Sequence, residues 1–238
     1  MGIGDLKPQL HWHPADQTFW NYHLIEVLVF LFLIVPSMVL SFLVQTKLGG
    51  LEFVPMANAI IVRDLALVTL VFYFIWRNGE TLRDLGWTWK NGWQDVFLGV
   101  VLFLPFTYVA SVLESVLQQA GLSVPAGPPA FLTVHGTAEI VLGIILVTIV
   151  ALAEETIFRG YLVLRFQGAH LRPLAAAVLS SVIFSLGHGY EGTAGAITVG
   201  YMGLVFALLL LWRGSLVAPV ILHFLQDFSG IVLPALLQ

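Results

Sequence analysis

Two glutamates and an arginine lie together at the end of an apolar stretch, in the segment ALAEETIFRG (residues 151–160). Glu155 and Arg159 are four residues apart, so they share one face of a helix and can form an ion pair. Glu154 is rotated by about 100° from Glu155 in an α-helix, which leaves it free to face something else. Ionisable groups inside apolar helices are usually functional, so we expect Glu154 to act as a general base or acid.

Histidines follow in two later apolar stretches. His188 ends the segment FSLGH, one helical turn after Phe184, and His223 and Asp227 stand four apart in HFLQD. The spacing of the second pair places both side chains on one face of a helix. An aspartate and a histidine together in an apolar helix are hard to explain by packing. We therefore expect them to belong to the same site as Glu154.

Other polar and small residues are predicted to be structural. Arg63 and Asp64 are too close in sequence to face each other, and we expect them to hold neighbouring helices together. Their candidate partners are Glu26, Glu114 and Glu139. The segment at 187–203 has six glycines in seventeen residues, which predicts close helix packing or a local break.

The composition indicates that these groups lie in a membrane. Of 238 residues, 58% are hydrophobic and 10% are charged, whereas a soluble domain has roughly 25% charged residues. Several apolar runs approach the roughly 20 residues that cross a bilayer as a helix. We predict an all-α, polytopic transmembrane bundle of about seven to eight spans around a conical or bundle-enclosed polar cavity. The spans are expected near 20–45, 53–76, 95–118, 138–163, 171–187, 194–212 and 215–236.

The chain is predicted to form a single membrane domain. Residues 1–19 are a polar N-terminal tail, 20–236 are the transmembrane domain, and its motif-bearing core is at about 138–230. The segment 76–95 contains four of the seven tryptophans interleaved with charge. Tryptophan is concentrated at membrane–water interfaces, so we expect this segment to be an interfacial helix or loop.

The basic residues predict the orientation. In a seven-span arrangement, seven of the lysines and arginines in the loops fall on one side of the membrane, and Lys47 falls on the other. Basic loops are retained in the cytoplasm, so the N-terminus is predicted to be cytoplasmic. The polar beginning of the chain and its short loops favour a plasma (inner) membrane location. The net charge of −4 argues against nucleic acid as a partner.

The three segments together resemble a known family. EETIFR fits EExxxR, FSLGH fits FxxxH and HFLQD fits HxxxN/D, in this order and in successive late helices. The chain resembles the CPBP family of intramembrane proteases, also called the Abi or CAAX-protease family, which is related to the Ras-converting endopeptidase. The resemblance extends over roughly residues 80–230 and includes LRDLG at 82–86.

The resemblance implies hydrolysis of a peptide bond inside the membrane. Glu154 would be the general base that activates water, and His188 would bind and orient that water. His223 and Asp227 would stabilise the oxyanion of the tetrahedral intermediate. The supporting residues would be Glu155, Arg159 and Phe184.

One position departs from the family pattern. The family often has asparagine where this chain has Asp227, and an asparagine amide can donate a hydrogen bond to an oxyanion. An aspartate donates only when it is protonated. Asp227 could therefore be kept neutral by burial, or it could stay charged and orient His223 as an imidazolium donor.

The predicted enzyme is a glutamate-type protease without a cofactor, and its partners are the lipid bilayer and a membrane-embedded or lipidated peptide substrate. Zinc is the alternative cofactor, with Glu154, His188, His223 and Asp227 as its ligands. Two other functions remain open: a catalytically silent membrane scaffold or immunity partner, and a proton-coupled transporter that uses the same groups as a relay.

Overall fold

The computed structural model describes residues 24–35, 38 and 52–238. The predicted polar tail at 1–19 and Lys47 lie outside the described residues. Within these ranges the regular structure is entirely helical, which confirms the predicted all-α architecture. The helices are α1 (Leu24–Val35), α2 (Phe53–Arg77), α3 (Trp93–Gln119), α4 (Gly136–Gly168), α5 (Pro173–Leu186), α6 (Gly192–Arg213) and α7 (Val217–Leu236).

Five of the described helices, α2, α3, α4, α6 and α7, are long and apolar enough to cross a membrane. The other two, α1 and α5, are apolar but shorter over their described residues. At a rise of 1.5 Å per residue, the 14 residues of α5 extend about 21 Å, less than the roughly 30 Å of a bilayer core. The protein is therefore a multi-pass membrane protein, and the described part has seven helices, five of which are candidates for full-length spans.

Two helices change geometry at the motif residues. The α-helical part of α4 ends at Glu154, and Glu155–Leu162 form a π-helical segment. In the same way, the α-helical part of α7 ends at Asp227, and Phe228–Val232 are π-helical. A π-helical segment widens the helix and is often found at functional sites. Both acidic motifs thus lie at a junction between α- and π-geometry, which regular helical spacing did not predict.

The π-helical segment of α4 is buried along its whole length. The turns between α2 and α3 pack directly against it. A Cβ on Gly160 would lie 2.9 Å from the carbonyl oxygen of Leu85, so only glycine permits this approach. The Trp87 indole Nε1 donates to Thr156 Oγ1 at 3.0 Å. The tryptophan-rich segment is therefore partly a core contact of α4, in addition to its predicted interfacial position.

A buried network of ion pairs and hydrogen bonds connects α1 to the C-terminal part of α4. Glu26 Oε1 accepts hydrogen bonds from Tyr161 at 2.8 Å and from Arg165 at 3.0 Å. Arg165 also donates to both oxygens of Glu80, at 2.7 and 2.6 Å. Arg77 reaches Glu26 Oε2 at 2.9 Å. This network satisfies charges that would otherwise be costly in an apolar environment.

Candidate active site

The most deeply buried part of the site is a contact among a glutamate, an arginine and a histidine. Glu155 Oε1 accepts a hydrogen bond from His223 Nδ1 at 2.8 Å and lies 3.0 Å from Arg159 Nη1. The side chains of Glu155 and Arg159 are 0% and 1% exposed. The predicted pairing of Glu155 with Arg159 is confirmed. The contact with His223 was not predicted, because it joins residues of different helices.

Aromatic rings enclose the Arg159 guanidinium. Its central carbon lies 4.0 Å from the centroid of the Phe184 ring and 5.1 Å from that of Phe206. The Phe206 ring also stacks on His223, with a centroid distance of 5.2 Å. A Cβ on Gly203 would lie 2.8 Å from Arg159 Nη2. The glycine-rich segment therefore packs closely, as predicted, and one of its glycines makes room for a buried charge.

Two more accessible carboxylates face the other ring nitrogen of His223. Glu154 Oε2 lies 3.7 Å from His223 Nε2, and Asp227 Oδ2 lies 3.5 Å from it. Their side chains are 13% and 24% exposed. Within the described part of the chain, Glu154 Oε2 has no hydrogen-bond partner. This oxygen is itself buried, so a water or a substrate group would have to supply the hydrogen bond that the described side chains do not.

His188 lies just after α5 and joins the site through Phe184. Its Nδ1 is 3.2 Å from the Phe184 carbonyl oxygen, and the two rings have centroids 4.7 Å apart. The Phe184 ring is also 6.1 Å from the ring of His223. His188 interacts electrostatically with His223 and Asp227. The structure thus brings all seven predicted residues into one neighbourhood.

The prediction for Arg63 and Asp64 was wrong. These adjacent residues pair with each other, with Arg63 Nε and Nη2 each 2.8 Å from Asp64 Oδ1. The arginine side chain is long enough to fold back onto its neighbour, which helical spacing alone does not show. Arg63 is also close enough to Glu154 for their charges to interact. The pair therefore borders the site from α2. The sequence feature that could have predicted this position is the presence of an arginine and an aspartate inside an apolar span.

A cavity of about 360 Å³ lies beside the first turns of α7, away from the motif residues. Its lining is largely apolar and consists of Trp87, Thr88, Trp89, Val217, Val220 and Ile221. The predicted polar cavity at the motifs stays a prediction.

The four residues that could ligate zinc are not arranged as a metal site. Among residues 24–35, 38 and 52–238, no three or more His, Asp or Glu side chains are arranged to hold a metal ion. In this conformation Glu154, His188, His223 and Asp227 therefore do not form a zinc-ligand set. Zinc binding stays a prediction that chelation can test.

The fold and this geometry define a class: a polytopic helical membrane protein with a buried Glu–Arg–His centre and two accessible carboxylates beside it. Residues 136–229 match the model of the Rce1-like family, described as type II CAAX prenyl endopeptidase Rce1-like. This segment contains all three motifs, so the resemblance to the CPBP or CAAX-protease family is confirmed. This match supports an intramembrane endopeptidase. No curated protein and no solved structure matches the chain.

Proposed function

We propose that the protein is a glutamate-type intramembrane endopeptidase that cleaves a membrane-anchored or lipidated peptide without a resident metal. The observation that carries this proposal is the difference between two neighbouring glutamates. Oε2 of each glutamate lacks a hydrogen-bond partner among the described residues. Glu155 is fully buried and its Oε1 is held by Arg159 and His223, whereas the Glu154 side chain is 13% exposed. One carboxylate therefore supports the site, and the other is available for chemistry.

Carboxylates face both nitrogens of His223, and this favours its imidazolium form. A carboxylate only accepts hydrogen bonds, so the proton on Nδ1 points to Glu155. Glu154 and Asp227 near Nε2 favour a second proton on that nitrogen. We infer that Asp227 acts as a charged group that orients His223, and that His223 donates to the oxyanion.

The proposed reaction uses one water. Glu154 accepts a proton from water, and the hydroxide attacks the scissile carbonyl carbon. His188 orients this water, and His223 Nε2–H stabilises the oxyanion. The C–N bond then breaks, and protonated Glu154 gives its proton to the leaving amine. The products are a carboxylic acid and an amine, and Glu154 returns to its unprotonated starting form.

The proposed setting is a plasma (inner) membrane, with the N-terminus in the cytoplasm. A peptide anchored in the bilayer can reach a site built from spanning helices without entering water. The lipid bilayer and the anchored peptide are thus the proposed partners.

The test compares purified wild type with Glu154→Gln on quenched lipidated and tail-anchor peptides in nanodiscs, with and without a strong zinc chelator. A positioned general base contributes about 10²–10⁴-fold, so we expect a loss of that size in Glu154→Gln. The matched control is Glu139→Gln, which changes an acid of the first turn of α4 whose hydrogen-bond partner in the described part of the chain is the His135 backbone. Its rate should equal that of wild type.

The chelator separates the two protease mechanisms. Cleavage that survives chelation and is lost in Glu154→Gln supports the proposal. Cleavage that chelation abolishes and zinc restores would establish a metalloprotease. Full activity of Glu154→Gln would refute its role as the base.

A further inference from the structure

We propose that Tyr190 and Glu191, which belong to none of the three motifs, are positioning residues for His188. The catalytic part of this inference rests on the proposed function, in which His188 orients the attacking water. The structural part concerns only the orientation of the His188 ring and can be measured without activity.

Tyr190 covers one side of the His188 imidazole. Their ring centroids are 5.8 Å apart with an interplanar angle of 37°. Phe184 is a second aromatic neighbour of the imidazole, at 4.7 Å and 54°. Phe131, in the connection between α3 and α4, meets Tyr190 edge-on at 5.7 Å. The imidazole is thus packed against two aromatic rings, one of which is itself supported from another part of the chain.

Glu191 adds a charge to this arrangement. Its carboxylate accepts a hydrogen bond from the Tyr190 hydroxyl, and it interacts electrostatically with His188 and Asp227. A Cβ on Gly195 would lie 2.5 Å from Glu191 Cβ and 3.3 Å from Glu191 Oε2. The absence of a side chain at Gly195 therefore makes room for the carboxylate, and a second glycine of the 187–203 segment accommodates a charged group.

The turn that presents these residues is anchored to the end of the α3 region. Ala194 N donates to the Ser123 carbonyl oxygen at 3.0 Å, and Ser123 N donates to Thr193 Oγ1 at 2.9 Å. Gly192 has φ +78°, and a Cβ there would lie 2.5 Å from the same Ser123 oxygen. These hydrogen bonds join the segment at Ser123 to the segment at residues 193–194. The Tyr190–Glu191 pair, which directly precedes the second segment, therefore has a defined position relative to His188.

This arrangement determines how His188 meets the water. Nδ1 faces the Phe184 carbonyl oxygen, which only accepts, so Nδ1 carries a proton and Nε2 is directed elsewhere. Tyr190 and Glu191 restrict the ring to this orientation. In metal sites, the loss of a partner that orients a ligand typically costs about 10–100-fold, and we expect the same range here.

The test uses Tyr190→Phe and Glu191→Gln, which keep the shape of each side chain. The matched controls are Tyr201→Phe, whose ring stacks on Phe106 with a centroid distance of 6.1 Å, and Glu139→Gln. The measurements are kcat and KM, the unfolding midpoint, and ¹⁵N NMR of histidine-labelled protein, with the His188 signals assigned by His188→Gln. We expect kcat to fall about 10–100-fold in both variants, with KM and the unfolding midpoint unchanged. The His188 ring nitrogens should also shift, and the controls should match wild type.

Unchanged kcat together with unchanged His188 nitrogen shifts would overturn the inference. If kcat and the unfolding midpoint fell in proportion, the inference would also be overturned, because the pair would then have only a structural role. If the wild type cleaves no peptide, the proposed function fails. The NMR measurement then decides whether Tyr190 and Glu191 position His188. Shifted His188 signals in the two variants alone would establish positioning, and unshifted signals would refute it.

Discussion

Among single residues, Arg159 shows most clearly that a buried charge depends on its partner. Its side chain is 1% exposed and lies against Glu155 and the ring of Phe184. Arg159→Gln would leave Glu155 buried with His223 as its remaining ionic partner among the described residues. Breaking a buried ion pair costs about 3–5 kcal/mol, so the unfolding midpoint should fall markedly in detergent.

The matched control for Arg159→Gln is Arg77→Gln. Arg77 also pairs with a buried glutamate, but its side chain is 46% exposed and Glu26 keeps Arg165 as a partner. We expect a change below about 1 kcal/mol for this variant. Equal losses in the two variants would contradict the special role of burial at Arg159.

Gly203 gives a second prediction at the residue scale. The Cβ of Gly203→Ala would lie 2.8 Å from Arg159 Nη2 and 3.0 Å from the Phe184 ring. Overpacking a tight site costs about 1–3 kcal/mol, so the unfolding midpoint should fall and the rate of cleavage should fall with it. Gly230→Ala is the control, since a Cβ there would meet none of the described residues within 4 Å. A stable and active Gly203→Ala protein would show that Arg159 can move.

At the scale of elements, the turns between α2 and α3 brace the π-helical segment of α4. Trp87→Phe would remove the hydrogen bond to Thr156 and keep most of the ring. A net loss of about 0.5–1.5 kcal/mol is expected from one such bond, measured by denaturant unfolding. Trp89→Phe is the control, because Trp89 is 55% exposed and contacts Trp93 at the surface. Equal stability of the two variants would show that the bond contributes nothing.

The sequence predicts contacts within a helix better than contacts between helices. Four-residue spacing correctly paired Glu155 with Arg159 and placed His223 beside Asp227. It could not show that His223 Nδ1 meets Glu155, because 68 residues separate them and helix packing decides the contact. The sequence also did not predict the π-helical segments, because apolar periodicity averages over a local change of helical pitch. Family motifs supplied the grouping that spacing alone did not.

For the whole molecule, the orientation in the membrane is open to a direct test. The chain has no cysteine, so Lys90→Cys and Gly127→Cys each introduce one thiol. These exposed residues lie at opposite ends of α3. Basic loops are retained inside, so a membrane-impermeant maleimide should label Gly127→Cys in intact cells and Lys90→Cys only after permeabilisation. The reverse pattern would overturn the prediction that the N-terminus is cytoplasmic.

The π-helical segment of α4 also makes the protein sensitive to the deletion of a single residue, a change that a hydropathy profile would not reveal. A deletion of one residue between Glu155 and Leu162 could restore regular α-helix while leaving an apolar helix long enough to cross a bilayer. The widened π-helical turns would then be lost, so Glu155 and Arg159, which lie in them, would lose the positions in which they meet each other and His223. Such a shortened homologue would look like an intact membrane protein by composition and would still have lost its chemistry. Alignment length across these eight residues is therefore a practical criterion for separating active from silent relatives.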